Sequence, residues 1–238
     1  MTVLSRRLLA EFVGTGLLVC VVVGSGIAAQ QLSAHDVGRQ LLENSTATVF
    51  GLGVLILILG PVSGAHFNPV VSVADWWAGR RLDTGLTTAE LLAYVGVQVP
   101  GGIAGAVLAN IMFDQRAVQI ATHHRVTTGH LVGEVVATAG LIAVIFALVR
   151  TGRAALAAVA VAAYIGAAYW FTSSTSFANP AVTVGRIFSD TFAGIAPSSA
   201  PAFIAAQFLG AALGFVLVGA LFPAPAPAER AAADVPTA

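Results

Sequence analysis

Two short stretches decide how this chain folds: Ser63-Gly64-Ala65-His66-Phe67-Asn68-Pro69-Val70 and, in the second half, Asn179-Pro180-Ala181. Asn is a favoured helix N-cap and Pro a favoured first helical residue. Each stretch therefore predicts the start of a short helix, the first running to about Trp77 and the second to about Asp190. Neither helix is long enough to cross a bilayer, which takes about 20 apolar residues. Non-helical backbone at membrane depth survives only where it is buried in protein or lines a wet cavity. Both stretches are thus expected to be re-entrant, with their helix N-termini meeting at the centre. The carbonyls just upstream, from Gly64, Ala65 and His66 and from Thr175 to Phe177, can supply a ladder of acceptors, and both Asn amides carry N–H donors.

Around these stretches lie six long apolar runs: Leu8–Ala29, Ser45–Val62, Leu91–Met112, Leu131–Val149, Ala154–Thr172 and Ala202–Phe222. Only Glu11 and Glu134 bring charge into them. Long uncharged runs exclude a porin-like barrel, whose strands alternate over about 10 residues. The first run is too long for a signal-peptide core and carries Glu11, so it reads as a span and not as a secretion signal.

Composition agrees. Apolar residues make up 57% of the 238 and charged residues 9%, against about 25% charged in soluble proteins. The net charge is zero, which argues against a nucleic-acid partner. A single cysteine, Cys20, excludes an intrachain disulfide and any multi-cysteine metal site. Nothing points to a metal or a cofactor.

Arginine placement gives the expected orientation. Arg6, Arg7, Arg80, Arg81, Arg150, Arg153 and Arg230 fall on one side; Arg39, Arg116 and Arg125, with Arg186, fall on the other. The richer side is expected to be cytoplasmic, with both termini there. Residues 223–238 are Pro/Ala-rich and read as a disordered tail.

The halves repeat. Glu11, Gly14 and Thr15 answer Glu134, Ala137 and Thr138; Gln98, Gly101 and Gly105 answer Gln207, Gly210 and Gly214 at identical spacing. Three spans per half is an odd number, so the second copy enters the membrane inverted. Inverted repeats place the functional site near the midplane, between the copies. The chain reads as one channel-like domain over 1–222, with repeats over about 5–112 and 130–222.

These residues resemble the aquaporin/aquaglyceroporin (major intrinsic protein) family over roughly residues 5–222. The resemblance implies an all-α membrane protein of six transmembrane helices plus two re-entrant half-helices, assembled as a homotetramer in the plasma membrane. It implies a pore centre at Asn68, Pro69, Val70, Asn179, Pro180 and Ala181. It also implies that Glu11 and Glu134 are acceptors supporting the re-entrant loops. In aquaporin-type pores the half-helix dipoles are known to exclude protons and cations, each N-terminus carrying roughly +0.5 of a charge.

The chain departs from the family pattern at the outer constriction. The arginine that usually follows the second motif is Val182 here. Counting back at family spacing gives Thr48, Ala167 and Ser176 as the other filter positions, with Phe50 as an alternative to Thr48 and Gly166 as an alternative to Ala167. Thr, Ala, Ser and Val imply a wide, uncharged, mildly polar constriction. Arg186, one turn beyond Val182, is expected to pair with Asp190, the alternative being that it places a positive charge in the outer vestibule. His123 and His124 are expected to be passive loop residues.

The reading that follows is a passive channel in the lipid bilayer for water and small uncharged solutes, of glycerol or undissociated arsenite size. The alternative is a coupled secondary transporter using Glu11 and Glu134. An enzyme finds no support, because His66 and Ser63 lack a positioned carboxylate and no nucleophile motif is present.

Overall fold

Capping chemistry sets where the helices begin. Thr2, Asp36, Thr87 and Thr127 each accept a backbone N–H from the first turn that follows. At Thr87 the cap is reciprocal, since the Glu90 carboxylate accepts from the Thr87 backbone N–H. The computed structural model describes residues 2–80 and 85–222. Within it, α1 (Val3–Leu32), α2 (Val37–Ser63), α4 (Thr88–Met112), α5 (Thr128–Arg150), α6 (Ala157–Phe171) and α8 (Ala200–Leu221) are the long helices. A 3-10 turn, Ala154–Leu156, leads into α6. All six, counting that turn, are long and apolar enough to cross a membrane. Each apolar run of the sequence lies within or close to one of them; most helices extend past their run into polar first turns that hydropathy does not register.

The two short helices are α3 (Pro69–Gly79) and α7 (Pro180–Gly185), the latter continued by a 3-10 turn, Arg186–Phe188. The expected second half-helix to Asp190 therefore tightens at Arg186 and stops at Phe188. Arg81 and the tail at 223–238 lie outside the described residues.

Helices α1 and α4 pack together in the first half, as α5 and α8 do in the second. Glycines make these crossings close. A Cβ on Gly105 would stand 2.0 Å from the Gly16 carbonyl oxygen, and one on Gly214 would stand 2.3 Å from that of Ala139. Small residues let helix backbones approach in this way in lipid. The pair of crossings is the inverted repeat in three dimensions: an all-α membrane fold with six spans and two re-entrant half-helices.

Candidate functional site: a central pore

Each half-helix is capped by its own Asn. The Asn68 Oδ1 accepts from the Val70 N–H at 3.0 Å, and the Asn179 Oδ1 accepts from the Ala181 and Val182 N–H groups at 2.9 and 3.2 Å. The amide nitrogens then cross the centre. Asn68 Nδ2 donates to the Ala178 carbonyl at 2.8 Å, and Asn179 Nδ2 donates to the Phe67 carbonyl at 2.7 Å. An amide has two N–H donors, so this crossing uses one of the two on each side chain.

The segments leading into the caps are unusual in backbone. Ala65 and Phe67 in the first, and Thr175, Ser176 and Ala178 in the second, have φ between 47° and 62°. Left-handed backbone costs a non-glycine residue about 1–3 kcal/mol. It persists because buried carboxylates hold the loops. Glu11 accepts from the N–H groups of His66 and Phe67 at 3.0 and 2.7 Å. Glu134 accepts from those of Phe177 and Ala178, both at 2.9 Å. Gln98 and Gln207 donate to these same carboxylates at 2.8 and 2.6 Å. Both glutamates are 0% exposed and stand apart from the cavity wall. With every contact directed at backbone or at a neighbouring side chain, these glutamates give the transporter reading no support.

A cavity of about 1100 Å³ runs from Trp77, Arg150 and Ala154 at one end, past Asn68 and Asn179, to Thr48, Tyr169 and Arg186 at the other. Gly64, Ala65, His66, Ser176 and Phe177 also line it, as does Val182; Thr175 does not, being held in a turn by the Thr172 carbonyl. Pro69, Val70, Pro180 and Ala181 sit behind the two asparagines, with Val70 and Ala181 fully buried. At the centre, then, the asparagines meet the lumen and their neighbours serve as first-turn packing.

Two expectations at the outer end are corrected. Ala167 is exposed on the far side of α6, away from the cavity. The lumen-facing stripe of that helix is Ala158, Val161, Ile165 and Tyr169, at the three-and-four spacing of one helix face. Position 167 lies off that stripe, and Gly166 packs against Val49. The residue that α6 places in the wall is Tyr169, whose hydroxyl lies 3.2 Å from that of Thr48. Thr48 also donates to the Asn44 carbonyl at 2.9 Å. Phe50 is 70% exposed and points away.

Arg186 is the second correction. It does not pair with Asp190, whose carboxylate instead accepts from the Thr122 N–H and hydroxyl at 2.8 and 3.0 Å. Arg186 is 2% exposed, lines the cavity and donates from Nε to the Ala193 carbonyl. Its guanidinium lies over the Phe177 ring, 3.4 Å from the centroid. The turn tightens at this residue, which takes the i,i+4 register away from Asp190. The wall is therefore neither uncharged nor made of small side chains alone. His124 Nδ1 lies 3.1 Å from the Ser198 hydroxyl, and neither His123 nor His124 lines the cavity.

Six crossing helices, two half-helices meeting at capped N-termini and one cavity passing between them define a membrane channel. The chain belongs to the major intrinsic protein family, whose model matches residues 1–176. It is 48% identical over 215 residues to the aquaglyceroporin AqpS of Rhizobium meliloti (strain 1021), covering 90% of this chain and 89% of that one. It is 34% identical over 151 residues to Aquaporin-2 of Rattus norvegicus, covering 60% of this chain and 51% of that one. The X-ray structure of the aquaglyceroporin from Plasmodium falciparum shares the fold, with a TM-score of 0.66 at 19% identity over 92% of this chain and 97% of that one. The protein is a multi-pass membrane channel for water and small solutes, not an enzyme.

Proposed function

We propose that this channel conducts small uncharged solutes of glycerol or undissociated arsenite size alongside water. The observation that carries the reading is Val182, a side chain without charge or donors, on the cavity wall directly after the second Asn-Pro-Ala motif. Its methyl groups suit a solute with an apolar face. On the polar side Ser176, whose buried Oγ has no hydrogen-bond partner among the described residues, adds a hydroxyl-bearing residue to the same wall. Thr48 and Tyr169 are tied to each other and complete the wall.

In this reading Asn68 and Asn179 offer their remaining N–H donors to a passing oxygen, the carbonyls of the two loops accept from it, and Glu11 and Glu134 hold those loops in place. One domain over 1–222 forms the pore. The channel works as a homotetramer in the plasma membrane, with the arginine-rich face and both termini cytoplasmic. The 48% identity to an aquaglyceroporin supports solutes larger than water.

Stopped-flow light scattering on proteoliposomes tests this without any ion gradient. A glycerol gradient is expected to give shrinkage followed by rapid reswelling. Reswelling no faster than that of empty liposomes, with fast water flux, would make the pore water-selective and sink the solute reading.

A further inference from the structure

Position 182 carries no charge, yet the outer wall holds a guanidinium one helical turn further out. Helix α7 starts at the pore centre and runs toward the face opposite the termini, so Arg186 follows Val182 on the way out. The side chain is positioned by three contacts. Its Nε donates to the Ala193 carbonyl, its plane lies over Phe177, and the loop carrying Ala193 is itself clamped. Arg125, from the segment before α5, supplies the clamp by donating to the Gly194 carbonyl at 2.7 Å and the Phe192 carbonyl at 2.8 Å. Phe192 is further tied by its N–H to Gln30 at 2.9 Å. Arg125 also faces the Phe177 ring, 5.4 Å from the centroid.

Among the described residues, neither arginine has a carboxylate at ion-pair distance. The only hydrogen bond of the Arg186 side chain among them is the one from Nε. A guanidinium carries five N–H donors, which leaves the terminal nitrogens for the lumen. A buried, uncompensated positive charge is costly unless something uses it, and Arg186 is 2% exposed on the wall of a conducting cavity.

We propose that Arg186 is the charged specificity element of this channel: it rejects cations at the outer constriction and donates to the oxygens of neutral solutes, from one turn outside the place of Val182. The second half of that role rests on the solute-channel reading; the first does not. Arg125 is a positioning residue, acting through the loop that holds Arg186. Cation rejection then comes from two stacked sources, this guanidinium outside and the half-helix N-termini at the centre.

The test is cation leak in proteoliposomes, read with an internal pH dye under a potassium diffusion potential, beside glycerol flux by light scattering. Arg186→Val and Arg186→Gln are expected to raise the leak at least about tenfold, as loss of a unit charge a few ångströms from the path predicts. Arg186→Lys is expected to stay tight while slowing glycerol. The double variant Val182→Arg, Arg186→Val is expected to recover tightness, because the charge returns to the same wall one turn inward. If Arg186→Val does not elute as monodisperse protein, the Gln and Lys variants carry the comparison. A Gln variant as tight as wild type overturns the proposal, as does a double variant as leaky as Arg186→Val. Wild type that is ion-tight but carries no glycerol would sink the solute reading and leave the charge assignment to be decided by the leak.

Discussion

The hydroxyls of Thr48 on α2 and Tyr169 on α6 meet across the outer end of the pore at 3.2 Å. Because Thr48 also donates to the Asn44 carbonyl, Tyr169 is the donor of the pair, and the contact bridges helices from different halves of the repeat. Tyr169→Ala is expected to open this side of the wall and raise glycerol flux relative to water. Tyr169→Phe keeps the ring and releases the Thr48 hydroxyl, and is expected to leave that ratio within about twofold, the size of a single modest hydrogen bond. Stopped-flow rates for both solutes decide it.

Val182→Arg is expected to cut glycerol flux strongly while sparing water. The new side chain would enter a wall that already holds Arg186, adding bulk and a second guanidinium where Val182 now offers methyl groups. Equal glycerol rates in variant and wild type would show that position 182 does not limit passage.

Glu11→Ala and Glu134→Ala are expected to reduce folded yield more than they alter the selectivity of the surviving channels. Each removes the acceptor for two backbone N–H groups on left-handed loops, at about 1–3 kcal/mol for each buried donor left unpaired. Thermal midpoints of the purified protein in detergent report the loss. Unchanged midpoints together with lost pH-dependent flux would revive a proton-coupled role.

Gly105→Ala and Gly214→Ala are expected to prevent folding, since the added Cβ would meet backbone oxygen at 2.0 and 2.3 Å. Gly219→Ala, with nothing within 4 Å of its Cβ, is expected to be neutral or slightly stabilising, as alanine is the better helix former. Expression and gel-filtration profiles of the three variants separate helix-crossing contact from helix propensity.

His123 provides a pH dependence with a defined sign. Partial burial, then the positive charges of Arg125, Arg186 and His130, holds its pKa below the ordinary value of 6.5, with Asp190 opposing. The unfolded chain therefore takes up this proton more readily than the folded one. Stability is full above about pH 6.5 and declines as pH falls from there toward the lower folded value. Burial also pulls Arg125 down to about 10, so it remains charged throughout this window. His123→Asn is expected to flatten the profile of thermal midpoint against pH between about 7.5 and 5.5.

The six spans, the two half-helices and their Asn caps were legible in the sequence because each has a local cause: apolar length, or a capping residue followed by Pro. The matched positions of Glu11 and Glu134 were legible in the repeat, while their loop-holding role followed from the family resemblance. Tyr169 was not, because finding it meant counting back across the loop between α6 and Asn179, and a count carries no information about which face of α6 turns inward. The stripe of Val161, Ile165 and Tyr169 was a signal that could have found it. Arg186 was misread for a different reason. Pairing it with Asp190 assumed that an α-helix continues to that point, and the 3-10 turn at Arg186–Phe188 removes the register on which the pairing depended.

The exchange of hydrogen bonds at the centre, Asn68 to Ala178 and Asn179 to Phe67, has a consequence for how the molecule is made. During synthesis the first three spans emerge with their re-entrant loop lacking the partner to which its Asn will donate. That partner, Ala178, lies about three-quarters of the way along the 238-residue chain, on a segment that enters from the other side of the membrane. The first repeat therefore cannot close its central contact until the re-entrant segment of the second repeat is in place, with α8 still to follow. A gene encoding one repeat alone could supply the lock only by inserting its product in both orientations and pairing two copies antiparallel about a two-fold axis; fusion of the repeats removes that requirement.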